Sequence, residues 1–173
     1  MTAITMPIPS PYDVPSHGPW SDRRVEFSIR QATVADVPAI IDLLADDEIG
    51  ASRETPDDRA PYDESFGAIA ADPNQLLVVG ESDGQVVATM QLTFIPGLSR
   101  RGTWRAQIEG VRVASSARGH GLGEELIRWA IKQAHERGCA LVQLTSDARR
   151  QDAHRFYERL GFTASHTGFK LAL

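Results

Sequence analysis

The sequence predicts an α+β domain with a mixed central sheet of about six or seven strands, flanked by about four helices. Segments with strand alternation outnumber segments with helical periodicity, and the two kinds are mixed along the chain. A strand, a helix and a second strand also follow one another near the middle, as in a βαβ unit. The 173 residues are 42% hydrophobic and 24% charged, which is the ordinary composition of one globular domain.

The first 24 residues differ in composition from the rest. They hold five of the ten prolines, which predicts an extended arm over residues 1–24 and a folded domain over residues 25–173. The N-terminus lacks the basic region and long apolar core of a secretory signal, and no apolar run approaches the roughly 18 residues of a membrane span. We therefore expect a cytoplasmic protein with no membrane partner. Cys139 is the single cysteine, so an internal disulfide is excluded.

The first half of the domain reads as a strand, two helices and a hairpin. Residues 25–32 alternate like a strand, and an apolar stripe with a cap at Thr33 or Asp36 predicts a helix within 33–47. A proline-broken polar loop follows, and then a short helix over 63–72. Residues 74–95 form two strands around an Asp-Gly turn, which is a strong hairpin signal.

The second half reads as strand, helix, strand, helix and a closing strand segment. We predict a strand at 104–113, a helix at 122–137, a buried strand at 140–145 and a helix within 150–161. The helix at 122–137 has an apolar inner face made of Leu122, Leu126, Ile127, Ala130, Ile131 and Ala134. Residues 162–173 are expected to close the fold with one or two strands.

Three glycines, Gly119, Gly121 and Gly123, stand immediately before or at the start of the predicted helix. Free backbone N–H groups and the positive end of the helix dipole meet at such a place, which favours phosphate. Glycine lets phosphate oxygens reach these groups, and Arg118 adds a cation. The alternative is an ordinary tight turn, for which one or two glycines would be enough.

A dinucleotide-binding fold is the obvious rival for this loop. That fold requires G-x-G-x-x-G, whereas this chain has G-x-G-x-G, and only about 50 residues follow, too few for a doubly wound sheet. A P-loop is excluded because no Gly-Lys-Ser/Thr is present.

Two motifs resemble those of the GNAT superfamily, the acetyl-CoA-dependent N-acetyltransferases. "RGHGLG" is similar to its R/Q-x-x-G-x-G/A motif, and "AHRFYERLGF" is similar to its later A-x-x-x-Y-x-x-x-G-F motif. The resemblance covers roughly residues 25–173, and the order of elements agrees with that fold. It implies acetyl-CoA as co-substrate, held by its pyrophosphate at the glycine loop. Arg-x-x-Ala-His-x-Phe-Tyr resembles a branch that includes aminoalkylphosphonate acetyltransferases.

The resemblance also implies which residues contact the coenzyme. Backbone amides around Val111 and Val113 are expected to pair with pantetheine, and Arg150 stands where the family has an Asn that contacts it. The full set of expected coenzyme residues is Val111, Arg112, Val113, Arg118, Gly119, His120, Gly121, Leu122, Gly123 and Arg150. No metal is expected, because the histidines lack ligand spacing and one cysteine cannot form a Cys-rich zinc site.

Acetyl transfer to an amine benefits from a general base and a general acid. Glu109 is the candidate base, because regular alternation puts it on one face with Val111 and Val113, where partial desolvation would raise its pKa. Gly110 can mark a bulge that re-aims this side chain. Tyr157 is the candidate acid, since the resemblance places its hydroxyl near the coenzyme sulfur, where it would protonate the leaving thiolate.

Charge and loop composition bear on partners. The net charge of −5 argues against nucleic acid, yet residues 36–72 hold 11 acids and two bases whereas residues 99–173 hold 13 bases and seven acids. An acidic segment suits a cationic amine, and Arg100, Arg101 and Trp104 lie in a second loop where the resemblance places the acceptor. We expect a small primary amine as acceptor and a homodimer. The alternatives are a non-catalytic acyl-CoA-binding module and an enzyme that acetylates a protein N-terminus or lysine.

Overall fold

The computed structural model describes residues 27–172, which contain five strands and six helices. The predicted arm, residues 1–24, lies outside the described residues. The strands are β1 (Phe27–Gln31), β2 (Gln75–Ser82), β3 (Gln85–Pro96), β4 (Trp104–Val113) and β5 (Cys139–Leu144). The helices are α1 (Val37–Ala45), α2 (Glu48–Ala51), α3 (Ala60–Ala71), α4 (Ser99–Gly102), α5 (Leu122–Glu136) and α6 (Gln151–Arg159).

The five strands form one mixed sheet in the order β1-β2-β3-β4-β5. The first four are antiparallel neighbours, and β4 and β5 are parallel, connected through α5. The mixed sheet and the βαβ unit predicted from the sequence are therefore confirmed. The hairpin between β2 and β3 turns at Asp83 and Gly84, both of which have positive φ.

Helices cover both faces of the sheet. On one face, α5 buries Leu122, Leu126, Ile127, Ala130 and Ala134, all of which belong to the predicted stripe. Met90, Leu92, Phe94, Ala106 and Ile108 meet them from β3 and β4. On the other face, Ile40 of α1 packs with Val79, and Phe66 of α3 joins them. Within residues 27–172, no helix combines the length and apolar character that a membrane crossing needs.

The expected strand count is wrong, because residues 162–172 form no strand in the structure. Phe169 and Leu171 of this segment are 93% and 86% exposed. A strand needs a hydrogen-bonded neighbour as well as local alternation, and the described residues offer this segment none. Five strands are therefore observed where six or seven were expected.

Candidate coenzyme and acetyl-transfer site

Strand β4 is longer than its parallel neighbour, and the two separate beyond Ile108. Their pairing runs from Trp104 opposite Cys139 to Ile108 opposite Leu144, where β5 ends. Val111 and Val113 therefore lie on a strand edge that no described strand covers on that side. The carbonyl oxygens of both valines accept from arginine side chains, Arg112 Nη1 at 2.9 Å and Arg118 Nε at 3.0 Å. This edge can pair with an extended amide-bearing ligand.

A β-bulge interrupts β4 at the start of this free edge. Thr89 of β3 faces Arg112 and Gln91 faces Glu109, so Gly110 and Val111 together oppose the single residue Met90. Gly110 has φ +61°, the left-handed conformation that glycine supplies in such bulges. The bulge predicted at Gly110 is confirmed.

The bulge overturns the expected environment of Glu109. Ile108, Val111 and Val113 all pack in the cluster under α5, so the extra residue puts Glu109 on the opposite face from the valines. Glu109 is exposed rather than partly desolvated. The expectation of a shared face was wrong because it assumed unbroken alternation, which a bulge resets. Glu109 nevertheless directly precedes the free edge of β4.

The glycine loop has the geometry of an anion cradle. Gly119 and Gly121 have φ of +84° and +82°, and a Cβ on either would meet no described atom within 4 Å. The first α5 hydrogen bond runs from Glu125 N–H to Gly121 O at 3.1 Å, so the preceding amides have no partner inside the helix. Gly123 differs, because its Cβ would come 3.6 Å from the Phe156 ring. Two glycines thus open the loop, whereas a Cβ on the third would lie in ordinary van der Waals contact with Phe156 of α6.

Arg118 is fixed at the mouth of this loop. Its Nε donates to Val113 O, and its Nη2 lies 3.1 Å from Asp46 Oδ2, while half of the side chain remains exposed. The Asp46 carboxylate also accepts from Ser115 N–H at 2.7 Å. The ring of His120 sits 3.4 Å from Ala117 O, on the loop itself. The loop therefore carries an accessible cation next to its open amides.

Tyr157 lies beside the free edge of β4. It is half-buried, packs in the cluster that includes Val111 and Val113, and makes edge contacts with Phe156 and Phe162. Burial raises the pKa of Tyr157 above its ordinary value, although the charges of Arg112 and Arg150 oppose the shift. The hydroxyl is therefore protonated at neutral pH and can donate a proton.

Two acidic residues that sequence reasoning missed hold this region together. Asp46 binds the loop before α5, and Asp47 binds Arg150 with an Nη2–Oδ2 distance of 2.7 Å. Asp47 also caps α2, since its Oδ1 accepts from Gly50 N–H at 2.7 Å. The sequence signal that could have found them is the acidic run "ADDE" at residues 45–48. In the structure, its two aspartates meet arginines from the basic second half of the chain. Those opposite charges pair at the site.

The loop before β4 lies at the other end of that strand. Trp104 pairs with Cys139 at the first position of β4, five residues before Glu109, which is roughly 16 Å at 3.3 Å per residue. Arg100 and Arg101 have positive φ in the short helix α4 and are exposed. The structure does not bring these side chains to the glycine loop.

The fold and this site define an acetyltransferase. Residues 37–162 match the model of the Acetyltransferase (GNAT) family, and the chain belongs to that family. The free edge of β4, the open loop and the half-buried tyrosine all lie within the matched residues.

Sequence similarity to named proteins covers most of the chain. An aminoalkylphosphonate N-acetyltransferase from Salmonella typhimurium is 30% identical over 148 residues, covering 84% of this chain and 90% of the relative. An L-methionine sulfoximine/L-methionine sulfone acetyltransferase from Pseudomonas paraeruginosa is 30% identical over 150 residues, covering 80% and 81%. A transcriptional regulator from Bacillus halodurans C-125 has a solved structure with a TM-score of 0.82 and 46% identity, covering 86% of this chain and all of that one.

Proposed function

We propose that the protein transfers an acetyl group from acetyl-CoA to the primary amine of a small molecule. The observation that carries this proposal is the free edge of β4, which leads directly to the open loop at Gly119 and Gly121. The edge suits the amide groups of pantetheine, and the loop amides with Arg118 suit a pyrophosphate. Relatives named for acetylating an aminoalkylphosphonate and methionine sulfoximine support a small-molecule acceptor.

The chemistry needs a neutral amine, a polarised thioester carbonyl and a proton for the departing thiolate. We expect an N–H group on the free edge at Val111 or Val113 to polarise the carbonyl. Tyr157 gives its proton to the sulfur as the carbon–sulfur bond breaks, and the new carbon–nitrogen bond forms as the amine loses a proton. Glu109 receives that proton through water, because its exposed carboxylate sits at the start of the free edge. No covalent enzyme intermediate is required.

The first test is ligand-dependent stability. Acetyl-CoA is expected to raise the melting temperature, since a ligand that binds only the folded state stabilises it by RT ln(1 + [L]/Kd), about 2.7 kcal/mol at 100 times Kd. NAD is the matched control, because it also carries a pyrophosphate but has no pantetheine arm for the β4 edge. Equal shifts with both ligands, or none with acetyl-CoA, would contradict the proposal. Release of free coenzyme A thiol with a panel of small amines then measures turnover.

Glu109→Gln is expected to lower kcat/KM at neutral pH, with a defect that shrinks as the pH rises. An unperturbed alkylamine has a pKa of about 10.4, so at higher pH more of it is already neutral and needs no base. The measurement is a pH–rate profile beside wild type, with Glu136→Gln at the end of α5 as an exposed control. A profile matching wild type in height and shape would remove Glu109 from the mechanism.

A second candidate function is a non-catalytic acyl-CoA-binding module. The Bacillus halodurans protein supports this candidate, because it is named a transcriptional regulator and the similarity to this chain covers all of it. Acetyl-CoA would stabilise both an enzyme and such a module, but only an enzyme would release thiol when an amine is added. Stabilisation by acetyl-CoA without thiol release for any amine or peptide would favour the module.

The homodimer and the cytoplasmic location stay predictions. Phe169 and Leu171 of the described C-terminal segment are exposed and apolar. We regard them as support for the homodimer, because a partner chain could cover them.

A further inference from the structure

Arg112 is a largely enclosed cation without a well-placed anion. Its side chain is 18% exposed, and its Nε is fully buried with no hydrogen-bond partner among the described residues. The nearest carboxylate oxygen in an ion pair with it, Asp47 Oδ2, is 3.8 Å from Nε, beyond hydrogen-bond distance. Burial lowers the pKa of the guanidinium, and the charge of Arg150 adds to that effect. A buried charge that lacks hydrogen-bonded compensation costs free energy.

The neighbouring carboxylates are already engaged elsewhere. Asp47 accepts from Gly50 N–H at 2.7 Å and from Arg150 Nη2 at 2.7 and 2.9 Å. Burial opposes ionisation of Asp47, but Gly50 and Arg150 hold the pKa of its carboxyl below the usual value. Glu54, whose charge also acts on Arg112, accepts from the Tyr62 hydroxyl at 2.9 Å. Among the described residues, Arg112 itself donates only to the neighbouring Val111 O, through Nη1, so the exposed part of its guanidinium keeps donors for a ligand.

The position of Arg112 suits a contact with the acetyl acceptor. The residue follows the bulge, so its side chain lies on the face opposite Val111 and Val113, where the turn between α1 and α2 brings Asp47. Tyr157 also lies close enough for the charge of Arg112 to act on its hydroxyl. The guanidinium therefore lies near both that turn and the expected proton donor.

We propose that Arg112, next to Arg150, binds an acidic group of the acetyl acceptor, so that the preferred substrate is an amine that also carries a carboxylate or phosphonate. This inference rests on the proposed function. Guanidinium groups match such oxyanions with two parallel hydrogen bonds, and an acid brought by the substrate supplies the partner that Arg112 lacks. Asp47 keeps Arg150 in place beside it, which makes Asp47 a positioning residue.

The experiment compares matched amines on Arg112→Gln, a neutral variant of similar length. The kcat/KM for 2-aminoethylphosphonate is expected to fall about 10- to 100-fold, mainly through KM, because hydrogen bonds to charged groups are the strong ones. The kcat/KM for n-propylamine should fall much less than that for the phosphonate, since losing one charged contact affects chiefly the ligand that makes it. The KM for acetyl-CoA should be unchanged. Arg112→Lys should recover part of the loss, because a lysine keeps the charge without the two-pronged geometry.

Arg149→Gln is the matched control, since Arg149 precedes Arg150 directly but is 69% exposed and paired with Asp147. It should leave both amines unaffected. Equal losses for both amines on Arg112→Gln would overturn the inference and indicate a role toward the thiolate. A rise confined to the KM for acetyl-CoA would overturn it in favour of a coenzyme contact.

Binding without turnover separates this inference from the proposed function. With coenzyme A present, 2-aminoethylphosphonate should raise the melting temperature of the wild type but not that of Arg112→Gln. Wild type that acetylates n-propylamine and neither acetylates nor binds the phosphonate would refute the acidic acceptor while leaving acetyl transfer intact. Wild type that acetylates no amine refutes the proposed function, and the melting shift then decides whether Arg112 binds the acid.

Discussion

Tyr157→Phe is expected to lower kcat by at least about tenfold while the affinity for acetyl-CoA stays nearly unchanged. General acid catalysis is typically worth roughly 10²–10⁴-fold, and water can replace part of it. The phenyl ring keeps the edge contacts with Phe156 and Phe162, so the packing of α6 against the sheet is retained. The measurement is steady-state kinetics on the best amine, together with the dissociation constant of acetyl-CoA.

The pH dependence identifies the role of the hydroxyl. Because the pKa of Tyr157 is raised, the proton is present throughout the neutral range, and the variant's defect should be constant there. It should shrink only when the thiol leaves without a proton, near its reference pKa of about 8.5. Equal kcat for variant and wild type across this range would make Tyr157 a packing residue, as would a defect that follows a lowered melting temperature.

Gly121→Val is expected to raise the Kd for acetyl-CoA about 10- to 100-fold, the loss expected when one or more charged hydrogen bonds are removed. The new side chain would project into the open space over the loop, where no described protein atom lies within 4 Å of its Cβ. That space is where phosphate oxygens would approach the amides at the start of α5. The measurement is calorimetric titration of acetyl-CoA.

Gly138→Val controls for the backbone strain. Gly138 follows the other end of α5 with φ +71°, close to the +82° of Gly121, and its Cβ would also meet open space. A left-handed conformation costs a non-glycine residue roughly 1–2 kcal/mol, so both variants should lose similar stability. Only Gly121→Val should lose coenzyme affinity. Equal weakening by both would mean that strain in α5, and not access to the loop, causes the effect.

The sequence predicted correctly those elements whose structure is set by residues close together in the chain. The apolar stripe of α5 and the turn at Asp83 and Gly84 are set by helical spacing and by residues that accept positive φ, and both were confirmed. The glycine loop was predicted for the same reason. Its two left-handed glycines and the helix that follows are local features.

Contacts between distant segments were not predictable in this way. The turn between α1 and α2 meets the loop before α5 at a separation of 69 residues and Arg150 at 103 residues. Nothing in the acidic run indicates which arginine each carboxylate will meet. The prediction of closing strands was wrong for a related reason. Alternation within residues 162–172 does not supply the neighbouring strand with which they would have to pair. The fold class could thus be predicted from the order of local elements along the chain. The ion pairs of the site could not, because they depend on which distant segments the topology brings together.

The bulge in β4 has a consequence for the choice of strand register. If Gly110 were absorbed into regular pleating, every later side chain of β4 would change faces. Arg112 would then point into the apolar layer under α5, and Val111 and Val113 would turn away from it. Forcing a guanidinium into that layer costs several kcal/mol, far more than leaving one residue unpaired. The flat pairing is therefore disfavoured, and the arginine at position 112 stabilises the bulged register of β4.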